Sequence, residues 1–428
     1  MGKLASFGAL LIVAACAESD PIGDRGSALT AMVTDVEALY AAVNLGAEGD
    51  TVRLAPGVYN LSATTPGDPS VPRPNGGRLE LKPGMSLIGP GTAADLDRWD
   101  TGEPDPRVDA IIDAAALPAS SYMSPPIQTG AVRAGPRNLV HGVVIRKSNG
   151  VSGLECDLLP PGDEGMSVTI ANNLIYGGQR GIDLRNLGTA FNGRRSVFVV
   201  VNNVLRDNVL GDGAQGIRLV HNRGCTGATI SALLVGNRLH DNVAGLLCES
   251  LSSTVFSTSH DRYEILSVGN RYSANHVGLW IGTSVGGTGN DARVTSVQDA
   301  ILDNDHPTTA TALSYTVGGG VVATAGMSAD PSAGFGPLAV DNHARVDLVA
   351  TRFARGDGPG NHDGATPRDL TGYGGMGFDG FSSGSGNELE IHLVHVHSPL
   401  IALAPSNDGS SANTVTCVET PPSAGSCP

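Results

Sequence analysis

Between residues 137 and 300, apolar and polar positions alternate in short bursts that return at a steady interval. One burst is a glycine followed by apolar residues at alternate positions: Gly153-Leu154, Gly181-Ile182-Asp183-Leu184, Gly216-Ile217-Arg218-Leu219, Gly245-Leu246-Leu247-Cys248 and Gly278-Leu279-Trp280-Ile281. The other is β-prone and closes on asparagine, with Asn173, Asn203, Asn237 and Asn270 as the final residues. The glycines stand 28, 35, 29 and 33 residues apart and the asparagines 30, 34 and 33 apart, so two independent markers keep one interval of about 31 residues. Alternation with a period of two predicts strands. β-Branched residues, Asn and Gly are too frequent for helices of useful length. Short strands repeated in this way bury their apolar faces only by stacking coil on coil, which predicts a β-solenoid. The asparagines suit tight bends, where they tolerate left-handed backbone and their amides can bond from coil to coil. The glycine that opens each Gly-apolar unit marks a corner needing relaxed φ.

The flanks fit the same architecture. Thr34-Asp35-Val36-Glu37 reads as a capping box, and Val36, Leu39, Tyr40 and Val43 follow at helical spacing, predicting a short amphipathic helix over the open end of the stack. Strand-like runs then cover 50–59, 79–89 and 110–113. After residue 300 the interval loosens. Further coils are expected at 321–323, 345–350, 389–394 and 400–403, broken by glycine-rich insertions at about 324–338 and 354–386. Residues 31–428 are read as one domain. From about residue 31 to 300 the sequence resembles right-handed parallel β-helix proteins of the pectate-lyase-like superfamily. The resemblance implies an all-β fold, a right-handed parallel β-helix with a short N-terminal capping helix. It leaves activity open, because that fold hosts lyases, hydrolases, epimerases and binding proteins.

Composition narrows the setting. The chain has 428 residues, a net charge of −15 and no basic stripe, which excludes a nucleic-acid partner. Its 58 glycines are about twice the usual share, in keeping with many corners. Residues 1–15 carry one early cation, Lys3, and a short apolar stretch, the pattern of a secretory signal. The stretch ends in Val13-Ala14-Ala15-Cys16, which resembles the bacterial lipobox. That implies lipidation of Cys16, a polar tether over residues 16–30, and residence in the cell envelope on a membrane surface. Export permits disulfides, and Cys417 with Cys427 would close a small terminal loop; the pairing of Cys156, Cys225 and Cys248 stays open.

Stacked coils turn sequence-distant residues into shared columns. Between the inward positions of the Gly-headed strands lies one outward column of Glu155, Asp183, Arg218, Leu247 and Trp280. A second, two residues along, holds Asp157, Arg185, Val220, Glu249 and Gly282, with His221 just beyond. One reading is cross-strand ion pairing that only braces the coils. The other is a site for an acidic polysaccharide. There Glu155, Asp157 and Asp183 would supply ligands for Ca²⁺, Arg218, His221, Arg185 and Lys147 would do the catalysis, and Arg146, Trp280 and Glu249 would bind substrate. β-Elimination from a uronate needs the carboxylate neutralised and the adjacent C5 proton removed by a base. A lyase or epimerase is therefore one expectation. The signatures of polygalacturonases, pectate lyases and mannuronan epimerases are missing, so no family catalytic residue carries over. A non-catalytic surface protein that binds glycans or partners is the other expectation.

Overall fold

The computed structural model describes residues 30–118, 130–147, 152–158, 165–210, 214–222, 224–252, 257–304, 319–328, 338–354, 361–363, 366–377, 384–396, 400–406 and 412–420. Each coil runs through three strands in turn, as in Ser167–Ala171, Leu174–Tyr176 and Arg180–Leu187, before the next coil begins at Arg195. Equivalent strands pair in parallel into three long sheets of 12, 9 and 10 strands, called first, second and third here in that order. The fold is a right-handed parallel β-helix.

Inward positions stack like on like. Val168, Phe198, Ile265, Val294, Val346 and Ile391 are in register on the first sheet. Ile112, Ile145, Ile175, Leu205 and Leu239 do the same on the second, and Leu154, Ile182, Ile217, Leu246 and Leu279 on the third. These side chains form one continuous apolar core along the axis. Strands run into both segments expected as insertions: Gly319–Ser328 reaches into 324–338, and Leu370–Gly377 lies inside 354–386.

The corners explain the punctuation of the sequence. Asn173, Asn203, Asn237 and Asn270 form the expected amide ladder, each Nδ2 donating to the next Oδ1 at 2.9 Å until Asp299 ends it. The left-handed bend sits one residue earlier, at Asn172, Asn202, Gly236 and Gly269. Two further ladders occupy the other corners. Asn208, Asn242, Asn275, Asn304 and Asn361 link the second sheet to the third. Asn290, Asn342, Asn387 and Asn413 precede the first sheet. The glycine column is needed for a reason other than relaxed φ. None of Gly181, Gly216 or Gly245 has positive φ, but a Cβ on each would lie 2.5, 2.8 and 2.6 Å from the carbonyl oxygen of the next glycine in the stack.

Helix Val36–Leu45 caps the first coil as expected, burying Leu39, Tyr40 and Val43. Its cap is Asp35 rather than Thr34: the Asp35 carboxylate accepts from the Ala38 N–H at 2.8 Å. Glu37 instead accepts from Arg73 Nη1 at 3.1 Å, so the reciprocal box does not form. A second short helix, Leu96–Thr101, lies on the outer face of the second sheet, with Leu96 and Trp99 packed on Ile111, Val144, Leu174 and Val204. His240 fastens it, with Nε2 3.2 Å from Asp100 and Nδ1 2.7 Å from Asp241. Burial opposes the imidazolium, yet the two flanking carboxylates lift its pKa to about 9. A raised histidine pKa stabilises the fold fully below the unfolded value near 6.5, and the benefit is lost as pH climbs through about 9. Chemical denaturation at pH 6 and pH 9.5 should show wild type losing on the order of 2 kcal/mol relative to His240→Gln across that window. Parallel pH dependence of the two proteins would contradict the assignment.

Candidate functional site

The third sheet assembles most of the expected wall. Glu155, Asp183, Arg218, Leu247 and Trp280 pair in register on consecutive coils, as do Arg185, Val220 and Glu249. The side chains are buried rather than presented: Glu155, Asp183 and Arg185 are all 0% exposed. Charges taken out of water need partners. Arg185 serves Glu155, Asp157 (Nη2 to Oδ2, 3.3 Å) and Asp183 (Nε to Oδ2, 3.7 Å). Arg218 donates to Glu249 Oε1 from Nε at 2.9 Å and from Nη2 at 2.7 Å. Arg133 extends the chain of pairs, holding Asp157 at 3.0 Å and Glu80 at 2.8 Å.

Asp183 stands apart. Three guanidinium groups, of Arg180, Arg185 and Arg218, lie 3.7–3.8 Å from its Oδ2. Among the described residues neither of its oxygens accepts a hydrogen bond. Burial pushes its pKa above the usual carboxylate range, against the pull of Arg218 and Arg180.

The carboxylates expected to bind Ca²⁺ converge on Arg185, whose guanidinium takes the place a cation would need. Among the described residues no group of three or more His, Cys, Asp or Glu is arranged to hold a metal ion. The set does not fit Ca²⁺ as it stands.

Other expected site residues lie elsewhere. His221 has the opposite strand parity to Arg218 and faces the core. Its ring packs edge-on to Tyr263 with centroids 4.6 Å apart, its Nε2 is 3.2 Å from the Arg262 carbonyl oxygen, and burial pushes its pKa down to about 3. Lys147 also turns inward, donating from Nζ to Asn208 Oδ1 at 2.6 Å, so it heads the second asparagine ladder. Burial lowers its pKa well below the usual lysine value. Arg146 belongs to the second sheet, not to the wall, and pairs with Asp113. Trp280 is buried against Leu247, Val322 and Met327, where the charged face gives way to an apolar one. Cys156, Cys225 and Cys248 are buried free thiols, and Cys417 is disulfide-bonded. Cys16, the signal and the tether up to residue 29, and Cys427 lie outside the described residues.

The first sheet carries a row of solvent-reaching charges, on strands Arg195–Val201, Arg262–Val268, Asp291–Val297, His343–Val349 and Glu388–Val394. Each arginine there is more exposed than the carboxylate it pairs with. The side-chain values are 63% against 40% for Arg195 and Glu264, 52% and 59% against 18% for Arg262 and Arg293 with Asp291, and 39% against 22% for Arg345 and Asp347. Within each of these pairs the guanidinium is the more exposed partner, while Glu264 at 40% and the exposed Glu388 also bring acids to the surface of this face. His343 adds to it: a hydrogen bond with Asp291 at 3.0 Å and the nearby carboxylates raise its pKa. These residues occupy the polar alternates of the first-sheet strands, of which those of Arg195 and Arg262 run on to Asn203 and Asn270. The same column argument that assembled the third-sheet wall would have found them.

No protein-family model matches this sequence, and no curated protein matches it. Among solved structures, the chain is similar to the A-module of the mannuronan C-5 epimerase AlgE6 of Azotobacter vinelandii, at 15% identity and a TM-score of 0.36, covering 93% of this chain and 98% of that one. It is also similar to a DFA-IIIase from Arthrobacter chlorophenolicus A6, at 14% identity and a TM-score of 0.40, covering 92% and 96%. Pectate lyase Pel9A aligns at 11% identity and a TM-score of 0.34, covering 91% of this chain and 83% of that one. Superposition at this level bears on no activity of this chain.

Proposed function

We propose that this is a cell-envelope β-helix, anchored through a lipidated Cys16, that binds an acidic polysaccharide along its first sheet and holds it without turnover. The observation that carries the reading is the layering of charge on that sheet, where Arg195, Arg262, Arg293 and Arg345 reach further into solvent than their carboxylates. Arg262, Arg293 and Arg345 lie on consecutive strands about 4.8 Å apart, with Arg195 two strands before Arg262, a row of cations along the axis suited to a linear polyanion. The net charge of −15 makes such a local cationic layer necessary for a polyanion to approach. Absence of turnover is supported by the third sheet, where the arginines expected to act are matched to buried carboxylates and the expected bases, His221 and Lys147, face inward.

Calorimetry with a panel of uronate polysaccharides tests this. Arg262→Ala, Arg293→Ala and Arg345→Ala combined should weaken binding at least tenfold, and raising salt should weaken it in wild type. Binding that ignores both changes would end the proposal.

A lyase or epimerase acting on a uronate is the second reading, favoured by Asp183 alone. A carboxyl whose pKa burial raises, ringed by the guanidinium groups of Arg180, Arg185 and Arg218, is a candidate to pass a proton beside a neutralised substrate carboxylate. Ultraviolet absorbance of an unsaturated product, or exchange of the C5 proton into solvent, abolished in Asp183→Asn, would establish it in place of the first.

A further inference from the structure

At the capped end of the solenoid, where the third-sheet chain of ion pairs ends at Glu80, lies a cavity of about 500 Å³, within the range of small-ligand sites. It lies where the C-terminal end of the capping helix meets the strand Leu79–Glu80 of the third sheet. Asn44, Asn75, Glu80 and Lys82 contribute its polar lining, and Pro136 and Leu158 are among its apolar walls. The polar groups keep unused capacity. Lys82 Nζ donates to the carbonyl oxygens of Asn44 (3.0 Å) and Gly46, which leaves one of its three N–H bonds. Glu80 accepts from Arg133 through Oε2 at 2.8 Å, leaving Oε1 available. The side-chain amides of Asn44 and Asn75 make no hydrogen bond among the described residues. Asn75 is held with φ at +53°, ahead of Gly76 and Gly77 at +61° and +80°. Asparagine adopts this left-handed backbone more readily than other side-chain-bearing residues, and here the bend sets its amide on the cavity wall.

We infer that this cavity is a binding site for a neutral sugar unit, a ligand with hydroxyl groups on its rim and C–H bonds on its faces. Two amides and a carboxylate oxygen supply donors and acceptors for hydroxyls, and the proline and leucine walls suit the apolar faces. Glu80 puts a carboxylate in the lining, Lys82 Nζ is committed to two carbonyl oxygens, and among the described residues no arginine lines the cavity to receive a uronate carboxylate bidentately, so a neutral sugar is favoured. The inference does not depend on how the first sheet is used.

Saturation-transfer NMR and calorimetry on the full chain, with glucose, galactose, mannose and galacturonate as probes, test it. At least one neutral sugar should bind, and more tightly than galacturonate. Leu158→Trp, which fills the cavity, should weaken that binding at least tenfold, and Asn44→Ala should weaken it several-fold. Arg262→Ala should leave it unchanged, which separates this site from the polyanion face. No binding of any neutral sugar, tighter binding of galacturonate, or wild-type binding by a folded Leu158→Trp protein would each overturn the inference. Should Leu158→Trp fail to fold, binding undiminished in Asn44→Ala would overturn it too.

Discussion

Replacing Arg185 by methionine is expected to destabilise the protein by about 3–5 kcal/mol, the range for breaking a buried ion pair by removing one partner. Arg185 is 0% exposed and stands among three carboxylates, of which Glu155 and Asp183 are also fully buried. Methionine conserves much of the volume, so the loss is electrostatic rather than a cavity. The acids do not all lose their last partner: Asp157 keeps Arg133, and Asp183 keeps Arg180 and Arg218. Glu155 loses most, retaining its contact with the Gly130 N–H. Adding Glu155→Gln to Arg185→Met should therefore restore most of the lost stability, because replacing both members of a buried pair is far cheaper than orphaning one. Urea unfolding of the single and double variants checks this. An exposed counterpart, Arg195→Ala on the first sheet, should change stability by no more than about 0.5 kcal/mol. If Arg185→Met behaved like Arg195→Ala, the third-sheet charges would be solvated and the description of that face as a buried brace would fail.

The contrast between these two arginines marks what the chain's pattern discloses and what it withholds. Register was legible: the spacing of Gly181, Gly216 and Gly245 places Asp183, Arg218 and Leu247 on one column, and they pair so. Which way a side chain points was legible only where strand length was known. His221 lies three residues beyond Arg218, and the strand stays extended through Asn222, so alternation turns the imidazole inward. A strand ending at Leu219 would have left that position undecided. Lys147 follows Arg146 by one and turns inward by the same rule, into a corner whose ladder begins at Asn208. Burial of the outward column was not legible, because alternation distinguishes core from exterior but does not tell whether an exterior face is open. The first-sheet arginines were overlooked for the converse reason. Stacking would have placed them in columns, but their importance comes from relative exposure within each ion pair, a quantity no spacing contains. The second ladder was within reach of the sequence: Asn208, Asn242 and Asn275 each follow a first-ladder asparagine by five residues.

Those ladders support a position-dependent prediction. Asn242 occupies an inner rung. Its Oδ1 accepts from the Asn208 N–H at 3.3 Å and from Asn208 Nδ2 at 2.8 Å, and its Nδ2 donates to the Leu205 carbonyl oxygen at 3.0 Å and to Asn275 Oδ1 at 3.1 Å. Asn242→Leu keeps the approximate size but strands donors above and acceptors below, all in a corner where Asn242 and its neighbours are buried. At about 1–3 kcal/mol for each buried polar group left without a partner, the expected loss is roughly 3–6 kcal/mol. Asn413 is the last described rung of the ladder that precedes the first sheet: it accepts from Asn387, and its Nδ2 donates to the Gly384 carbonyl oxygen at 3.4 Å. Asn413→Leu should cost less than half as much. In a solenoid each coil touches only its neighbours, so an inner break divides the stack while an outer one frays it. Asn242→Leu should therefore also broaden the thermal transition or split it in two, whereas Asn413→Leu should leave one transition at a slightly lower midpoint. Equal losses at the two positions would mean that the amides act as isolated turn caps, and that the coils are held together by core packing alone.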